Sequence, residues 1–203
     1  MKPQPDKHYL DPYYDGIGRH GGDGFGALLW ASPQTQAARF DALSRLCNLD
    51  GRDVLDAGCG RADFLEYLLN RGIAPNTYLG LEAVEEFAAG AERKNLPRCR
   101  IVRGDFVKEP VRLFVGAEAV VFCGSLNTLS KAQFRESLAR GLEAAGEVLL
   151  FNFLSSPHLA GAPWLSWHQP NEVRELFRGR AARIQMLQDY MQGDCTAAVW
   201  KQS

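Results

Sequence analysis

The 203-residue sequence lacks the features of a membrane protein, a zinc protein and a typical nucleic-acid-binding protein. No apolar run is long enough to cross a bilayer, and the opening MKPQPDKHYLDPYYDG is too polar for a signal peptide. The five cysteines form no CxxC pair, so we expect reduced thiols in a cytoplasmic protein and no zinc site. A formal net charge of -1 disfavours a nucleic-acid partner, although a local basic patch is compatible with it.

The length and composition suit one α/β domain, since 46% of the residues are hydrophobic and 23% are charged. Short apolar segments alternate with helical patterns after residue 31. The predicted strands cover residues 53–58, 77–83, 99–104, 117–124, 146–153, 182–192 and 194–201. This order predicts a doubly wound, mostly parallel seven-stranded sheet with helices on both faces and an antiparallel hairpin at the C-terminal end.

Residues 1–31 differ from the remainder, because aromatic residues stand among closely spaced glycines. Glycine at this density opposes regular structure, whereas aromatic side chains provide apolar surface to bury. We therefore expect an irregular arm that either covers a site as a lid or simply packs on the domain. The domain proper, residues 32–203, begins with a helix that has Ser32 as its N-cap and Pro33 at its first position.

The segment VLDAGCGRAD, residues 54–63, places glycines directly after an apolar strand. Such glycines indicate a backbone that approaches a dinucleotide, a phosphate or an adenosine sulfonium closely. A dinucleotide loop needs a third glycine where Asp63 stands, so an NAD-dependent oxidoreductase is disfavoured. A phosphate-binding P-loop needs Lys followed by Ser or Thr, which Arg61-Ala62 does not supply.

With the spacing acid-x-Gly-x-Gly, Asp56, Gly58 and Gly60 resemble motif I of class I S-adenosylmethionine-dependent methyltransferases. The usual motif has a third glycine where this chain has Ala62, and we expect that alanine to lie within the following helix, where it is well tolerated. Cys59 is interpreted as a small side chain between two glycines. The resemblance covers about residues 50–203 and implies a Rossmann-like fold.

Two acids follow the next predicted strands. Glu82 lies about twenty residues after the glycine loop, which suits an acceptor for ribose hydroxyls. The resemblance implies that Asp105 accepts from the adenine amino group and that Phe106 lies against the ring. The complete set of predicted cofactor contacts is Asp56, Gly58, Cys59, Gly60, Glu82, Ala83, Asp105, Phe106, Cys123, Gly124 and Arg39. For Arg39 two interpretations stay open: a donor to the methionine carboxylate of the cofactor, or a charge on the helix surface.

The segment VVFCGSLNTLS, residues 120–130, lacks the Asn/Asp-Pro-Pro-Tyr/Phe motif of amino and amide methylases. This absence counts against base amines and glutamine side chains as acceptors. Asn127 either orients an acceptor or caps the helix that begins near Lys131. His158 and His168 are candidate general bases or packing residues. The predicted substrate contacts are Tyr13, Tyr14, Trp30, Asn152, Trp164 and Trp167.

The resemblance implies an enzyme that uses S-adenosylmethionine, releases S-adenosylhomocysteine and transfers the methyl group in line to a small molecule. No metal cluster is expected, and no catalytic acid or base is required when the sulfonium is already electrophilic. A non-catalytic S-adenosylmethionine-binding module or partner subunit is the alternative. A homodimer stays open, and the sequence does not identify the acceptor.

Overall fold

A computed structural model describes residues 8–202. The parts of the predicted arm and of the polar N-terminal segment that fall in residues 1–7, and residue 203 of the domain, lie outside the described residues. The strands are β1 Asp53–Ala57, β2 Thr77–Glu82, β3 Cys99–Arg103, β4 Ala119–Phe122, β5 Val148–Leu154, β6 Ala181–Leu187 and β7 Asp194–Lys201. The helices are α1 Asp11–His20, α2 Pro33–Leu46, α3 Asp63–Leu69, α4 Glu85–Arg93, α5 Lys131–Ala144 and α6 Pro170–Glu175.

The seven strands form one sheet in the order β3-β2-β1-β4-β5-β7-β6. The first five strands are parallel, and β7 pairs antiparallel with both β5 and β6. After β1 the chain adds β2 and β3 on one side of the sheet, and then β4 and β5 on the other side of β1. The order of strands therefore reverses between β1 and β4, and ligands of open α/β sheets bind beside such a point. The predicted sheet and its C-terminal hairpin are confirmed.

Helices cover both faces of the sheet, as the burial of both faces of the central strands requires. In β5 all seven residues are buried. Leu149 and Phe151 join a core cluster with Phe134 and Leu138 of α5, whereas Leu150 faces the opposite core. That second cluster contains side chains of α2 and α3, including Phe40, Leu43, Phe64 and Leu65. Two hydrophobic layers therefore hold the strand ends in fixed positions.

The N-terminal arm is more regular than predicted. Residues 11–20 form α1, and residues 25–28 form a 3₁₀ turn, so the prediction of an irregular arm is wrong. Gly16 permits this packing, because a Cβ atom there would lie 2.9 Å from the carbonyl oxygen of Ala27. The helix ends at Gly21, which has a φ of +73°. The glycines thus allow a helix and a turn to pack closely.

Two further boundaries differ from the predicted ones. Strand β6 ends at Leu187, and residues 188–193 form the turn before β7, where the hydroxyl of Tyr190 donates to Asp194. The segment ADFLEYLLNRG, residues 62–72, has a helical pattern with Gly72 suited to its end, whereas α3 covers only Asp63–Leu69. Across residues 8–202, no helix has both the length and the apolar character needed to cross a bilayer.

The serine caps of α2 and α5 follow from local sequence. Ser32 and Thr35 form a reciprocal capping box on α2, as the predicted helix start requires. Ser130 and Gln133 form the same arrangement on α5, with the Gln133 amide donating to Ser130 Oγ at 3.3 Å. These caps fix the residue at which each helix begins.

We expect Ser130→Ala to lower the free energy of unfolding by about 1 kcal/mol, because the first turn of α5 loses its side-chain acceptor. Urea unfolding followed by circular dichroism measures this change. Arg135→Ala, at an exposed position of the same helix, is the matched control and should leave stability nearly unchanged. Equal effects of the two substitutions would contradict a capping role for Ser130.

Candidate functional site

A cavity lies at the carboxyl ends of β1, β2 and β3, underneath the N-terminal arm. It encloses about 770 Å³ of space, its open mouth included. The walls of the cavity are formed by the ends of these three strands, the loop after β4 and the arm. The predicted residues that line it are Tyr13, Trp30, Asp56, Gly58, Cys59, Gly60, Glu82, Ala83, Asp105, Phe106, Cys123 and Gly124.

The glycine loop bends sharply out of β1. Gly58 has a φ of +77° and Gly60 a φ of +56°, a region in which glycine is favoured. The amides of Gly58 and Cys59 both donate to the carbonyl of Leu81, at 2.7 and 3.2 Å. A Cβ atom at Gly58 would overlap the Ser125 side chain, whose hydroxyl donates to the carbonyl of Ala57 at 2.7 Å. The loop is therefore held between β2 and the loop after β4.

Ala62 does not lie within a helix, contrary to the prediction. It occupies the left-handed region, with φ 55° and ψ 32°, immediately before α3. For a residue with a Cβ atom this conformation costs about 1–2 kcal/mol. Its methyl group is fully buried in the core between α2 and α3. The position thus has a backbone conformation that glycine favours, and burial of the methyl group offsets part of the strain.

Glu82 joins the glycine loop to the end of β2. Its two carboxylate oxygens accept from the amide of Gly60 at 2.7 Å and from the amide of Val84 at 2.8 Å. The side chain is buried, and burial raises the pKa of Glu82 to about 7 while the amide hydrogen bonds oppose that rise. A carboxylate held in this way can still accept hydroxyl groups from a ligand in the cavity.

Asp56 is a second buried carboxyl group in the same wall. The hydroxyl of Tyr78 donates to its Oδ2 atom, whereas its Oδ1 atom has no hydrogen-bond partner within residues 8–202. Burial raises the pKa of Asp56 to about 7, and the nearby charge of Glu82 contributes to the increase. A buried acceptor without a partner is costly, so this oxygen suits a donor supplied by a ligand.

Asp105 follows β3 and faces the arm. Its Oδ1 atom accepts from the amides of Val107 and Lys108, at 3.0 and 3.2 Å, which orients the carboxylate. Its Oδ2 atom accepts the hydroxyl of Tyr9. Phe106 lies beside it in the cavity wall, with its ring against Phe122. Tyr9 was not among the predicted site residues, although its aromatic ring in a glycine-rich segment was a usable signal.

The two cysteines of the site are buried thiols. Cys59 packs under β2, where a Cβ atom on Gly80 would lie 2.7 Å from its sulfur. Burial raises the pKa of Cys59 and of Cys123 well above that of a free thiol. Both therefore stay protonated and act as small apolar wall residues, which is the role expected for Cys59.

Asn152 is not a cavity residue in this structure. It is fully buried in β5, where its Oδ1 atom accepts the amide of Gly124 at 2.8 Å and its Nδ2 group lies 3.6 Å from the sulfur of Cys123. The predicted substrate contact instead positions the loop after β4. The burial of every residue in β5 explains why a polar residue there must bond to backbone.

Arg39 is neither a surface charge nor part of the cavity wall just described. Its guanidinium group is buried and pairs with Asp194 of β7, to which Nε donates at 2.8 Å. The same guanidinium lies over the ring of Trp30, 5.2 Å from the ring centroid. The pair joins residues that are 155 positions apart in the sequence. The local sequence around Arg39 could not indicate this partner, because Asp194 lies in the C-terminal hairpin.

The remaining candidates lie outside this cavity. Tyr14 and His158 are exposed, Trp167 is partly buried, and Trp164 borders a separate surface depression with Asp11 and Arg19. His168 stacks on Phe134 with ring centroids 3.7 Å apart, and burial lowers the pKa of His168 to about 4. His168 is thus a packing residue in this structure.

Asn127 does not cap α5, because Ser130 has that position. Its backbone carbonyl accepts from the Ser166 amide at 2.8 Å, and its side chain is buried. The predicted capping role is therefore wrong. Within the described part of the chain, no group of three or more His, Cys, Asp or Glu side chains is arranged to hold a metal ion.

No known family model matches the sequence, and no curated protein matches it. Solved structures do match. Magnesium protoporphyrin IX methyltransferase from Synechocystis PCC 6803 with bound SAH aligns with a TM-score of 0.70 at 14% identity, over 96% of this chain and 100% of that chain. The fold is that of the class I methyltransferases.

Two further structures with this fold support the assignment. A DhpI–SAH complex aligns with a TM-score of 0.68 at 18% identity, over 95% of this chain and 96% of that chain. The pyocyanin biosynthetic protein PhzM aligns with a TM-score of 0.69 at 20% identity, over 94% of this chain and 62% of that chain. The predicted Rossmann-like methyltransferase fold is confirmed.

Removal of one partner of the Arg39–Asp194 pair should strongly destabilise the folded protein. We expect Arg39→Met to lower the free energy of unfolding by about 3–5 kcal/mol, because Asp194 then stays buried without its counter-charge. The double variant Arg39→Met/Asp194→Leu should lose much less than the sum of the single variants. Arg45→Met, whose exposed side chain lies 4.0 Å from Asp189, is the matched control. Additive effects in urea unfolding would contradict direct coupling of Arg39 with Asp194.

Proposed function

We propose that the protein transfers a methyl group from S-adenosylmethionine to a small-molecule acceptor and releases S-adenosylhomocysteine. One observation carries this proposal: the glycine loop, Glu82 and Asp105 follow three successive parallel strands and line a single cavity. Ligands of open α/β sheets bind at this edge. The fold alone would allow other functions, whereas this set of groups suits one cofactor.

The polar groups of the cavity match the parts of the cofactor. Glu82 would accept the ribose hydroxyls, and Asp105 with Phe106 would hold the adenine. The unpartnered Oδ1 atom of Asp56 would accept the cofactor's ammonium group, which supplies the donor that this buried oxygen lacks. The tight backbone at Gly58 and Gly60 leaves room for the ligand next to the loop.

The bound cofactor would supply an electrophilic methyl group on a sulfonium. The protein would contribute orientation and exclusion of water, which can account for a large part of the rate acceleration. Neither His158 nor His168 lines the cavity, and burial lowers the pKa of His168 to about 4. We therefore assign no general base to this chain and expect the acceptor to lose its proton to water.

We further propose that the arm acts as a lid. Tyr9, Leu10, Tyr13, Leu28 and Trp30 wall the cavity on one side, so a ligand must pass the arm. The arm is held by a small separate cluster, and its ion pair between Arg93 and Asp23 is exposed. Exposed ion pairs contribute little. Tyr9 and Trp30 pack at the edges of the two main core layers, so these two side chains would have to leave them when the arm opens.

The solved neighbours support this proposal. Two of those reported above were determined with SAH bound, and one of them is named for magnesium protoporphyrin IX and another for pyocyanin biosynthesis. These names concern those proteins. For this chain they favour a small-molecule acceptor over the alternative of a non-catalytic binding module.

Asp105→Asn tests the adenine contact. The substitution keeps an oxygen for the amides of Val107 and Lys108 but replaces the second acceptor with an amide donor. We expect micromolar binding of S-adenosylhomocysteine to the native protein and about tenfold weaker binding to the variant, by isothermal titration calorimetry. S-inosylhomocysteine, which has a carbonyl where adenine has its amino group, should lose less affinity.

Asp189→Asn removes an exposed acid and is the matched control, with an unchanged affinity expected. No heat and no thermal shift with S-adenosylhomocysteine would overturn the proposed function. An unchanged affinity of Asp105→Asn would remove the adenine role from Asp105. Tight binding without turnover on any acceptor would favour the binding-module alternative.

The two buried acids predict opposite pH dependences for binding and stability. Both have a pKa of about 7 in the folded protein, against ordinary values near 4. The folded state then binds protons more readily, so the free energy of unfolding should fall between about pH 4 and pH 7. Affinity for S-adenosylhomocysteine should instead rise from pH 5.5 to pH 8, because only ionised carboxylates accept fully. Calorimetry and urea unfolding check both, and Asp56→Asn should reduce each dependence.

A further inference from the structure

One acceptor of the proposed cofactor site is already taken by the arm. Oδ1 of Asp105 accepts the amides of Val107 and Lys108, at 3.0 and 3.2 Å, so Oδ2 is the oxygen that remains for a ligand. In this structure the hydroxyl of Tyr9 donates to that Oδ2 atom. Tyr9 therefore makes the hydrogen bond that the proposed function gives to the adenine amino group.

The contact between Tyr9 and Asp105 is partly sheltered from water. Only 14% of the Asp105 side chain is exposed, and Tyr9 packs against the core cluster that contains Phe106. Burial, and then the hydrogen bond and charge of Asp105, raise the pKa of the Tyr9 hydroxyl, so it stays protonated and donates. A charged acceptor makes such a hydrogen bond stronger than one between neutral groups. A specific polar contact thus fixes the arm at the end of the cavity where Asp105 lies.

Two other side chains of the arm lie on glycines of the binding loops. A Cβ atom on Gly60 would lie 3.1 Å from the side chain of Leu28. A Cβ atom on Gly124 would lie 2.8 Å from the ring of Trp30. Glycine at such positions lets another group approach the backbone closely. In this structure the approaching groups are Leu28 and Trp30, in the place that the sequence predicts for a ligand.

The space left beneath the arm is too small for the proposed cofactor. The centre of a water molecule can reach only about 80 Å³ of the cavity, because the volume of about 770 Å³ includes its open mouth. That is room for a few waters, whereas ligands of the size of S-adenosylmethionine occupy pockets of about 300–1,000 Å³. The arm must therefore leave its present position before or while the cofactor enters.

We propose that the arm is an internal competitor of the cofactor: the Tyr9 hydroxyl takes the place of adenine on Asp105, and other arm side chains fill the space against the glycine loops. This inference rests on the proposed function and adds a control of the same site. The closed arm lowers the apparent affinity, because the observed dissociation constant is the intrinsic constant divided by the open fraction. The protein without cofactor is thus inhibited by its own N-terminal segment.

A competing arm and an arm that holds the cofactor have opposite consequences when the Tyr9 hydroxyl is removed. If Tyr9 competes, loss of the hydroxyl destabilises the closed arm, raises the open fraction and strengthens cofactor binding. If Tyr9 instead held the cofactor, the same loss would weaken binding, because the bound ligand would lose a hydrogen bond. The sign of the change in affinity therefore distinguishes the two roles.

Tyr9→Phe is the most direct test, because it keeps the ring and removes only the hydroxyl. We expect S-adenosylhomocysteine to bind about fivefold more tightly to this variant in isothermal titration calorimetry. The gain should come from faster association in stopped-flow fluorescence, with the dissociation rate nearly unchanged. Tyr67→Phe removes a hydroxyl that lies 3.5 Å from Asp41, outside the cavity, and is the matched control with an unchanged affinity expected.

Two further variants test the contacts separately. In an Asp105→Asn background, Tyr9→Phe should give no further gain, because the acceptor oxygen of the hydroxyl has already been replaced. Leu28→Ala tests the arm without changing Tyr9. It should also strengthen binding of S-adenosylhomocysteine, by about threefold, because the closed arm loses apolar contact beside Gly60 that the open arm does not make.

The outcomes separate this inference from the proposed function. If neither the native protein nor Tyr9→Phe binds S-adenosylhomocysteine, the proposed function fails and competition for the cofactor fails with it. If the native protein binds and Tyr9→Phe binds equally or more weakly, the proposed function stands and the competing arm is overturned. A gain from Tyr9→Phe that persists at full size in Asp105→Asn would overturn the part assigned to the contact between Tyr9 and Asp105.

Discussion

The hydrogen bonds of Glu82 to the amides of Gly60 and Val84 set the geometry on which the site depends. One carboxylate joins the turn after β1 to the turn after β2, so the glycine loop cannot open without leaving a buried acceptor unpaired. The loop in turn packs against Ser125, which follows β4 and also lines the cavity. A single buried acid thereby joins the ends of two strands in the wall of the cavity.

Burial makes these same groups costly as well as useful. Asp56 and Glu82 stand in one wall, and each has its pKa raised to about 7 by removal from water. Asp56 Oδ1, Asn127 Oδ1 and Thr128 Oγ1 have no partners within residues 8–202. Sites that bind polar ligands hold such groups ready, because the ligand then supplies the missing hydrogen bonds. Of these residues, Asp56 and Thr128 line the cavity beneath the arm.

Local pattern was sufficient to predict the features that local chemistry decides. The parallel strands, the serine cap of α2 and the acids at the ends of β2 and β3 follow from short apolar runs and the residues next to them. The arm was mispredicted because glycine was taken only as a helix breaker. In α1, Gly16 instead provides the close approach to Ala27 that lets the helix pack.

Features that depend on distant residues were not predictable from one sequence. Arg39 meets Asp194 across 155 positions, and Tyr9 meets Asp105 across 96, so neither partner could be read from spacing. Ala62 shows a subtler limit, because it adopts the left-handed conformation that glycine favours although it is an alanine. The backbone requirement of the loop prevails there over the local preference of alanine.

The central claim is that one cavity at the ends of β1, β2 and β3 holds S-adenosylmethionine. Its most direct test is a map of amide shifts in the ¹⁵N-labelled protein on addition of S-adenosylhomocysteine. The account predicts that the largest shifts fall on Gly58, Gly60, Ala83 and Val107, in a saturable manner, and that NAD leaves these amides unmoved. Shifts confined to other parts of the chain, or an equal response to NAD, would contradict it.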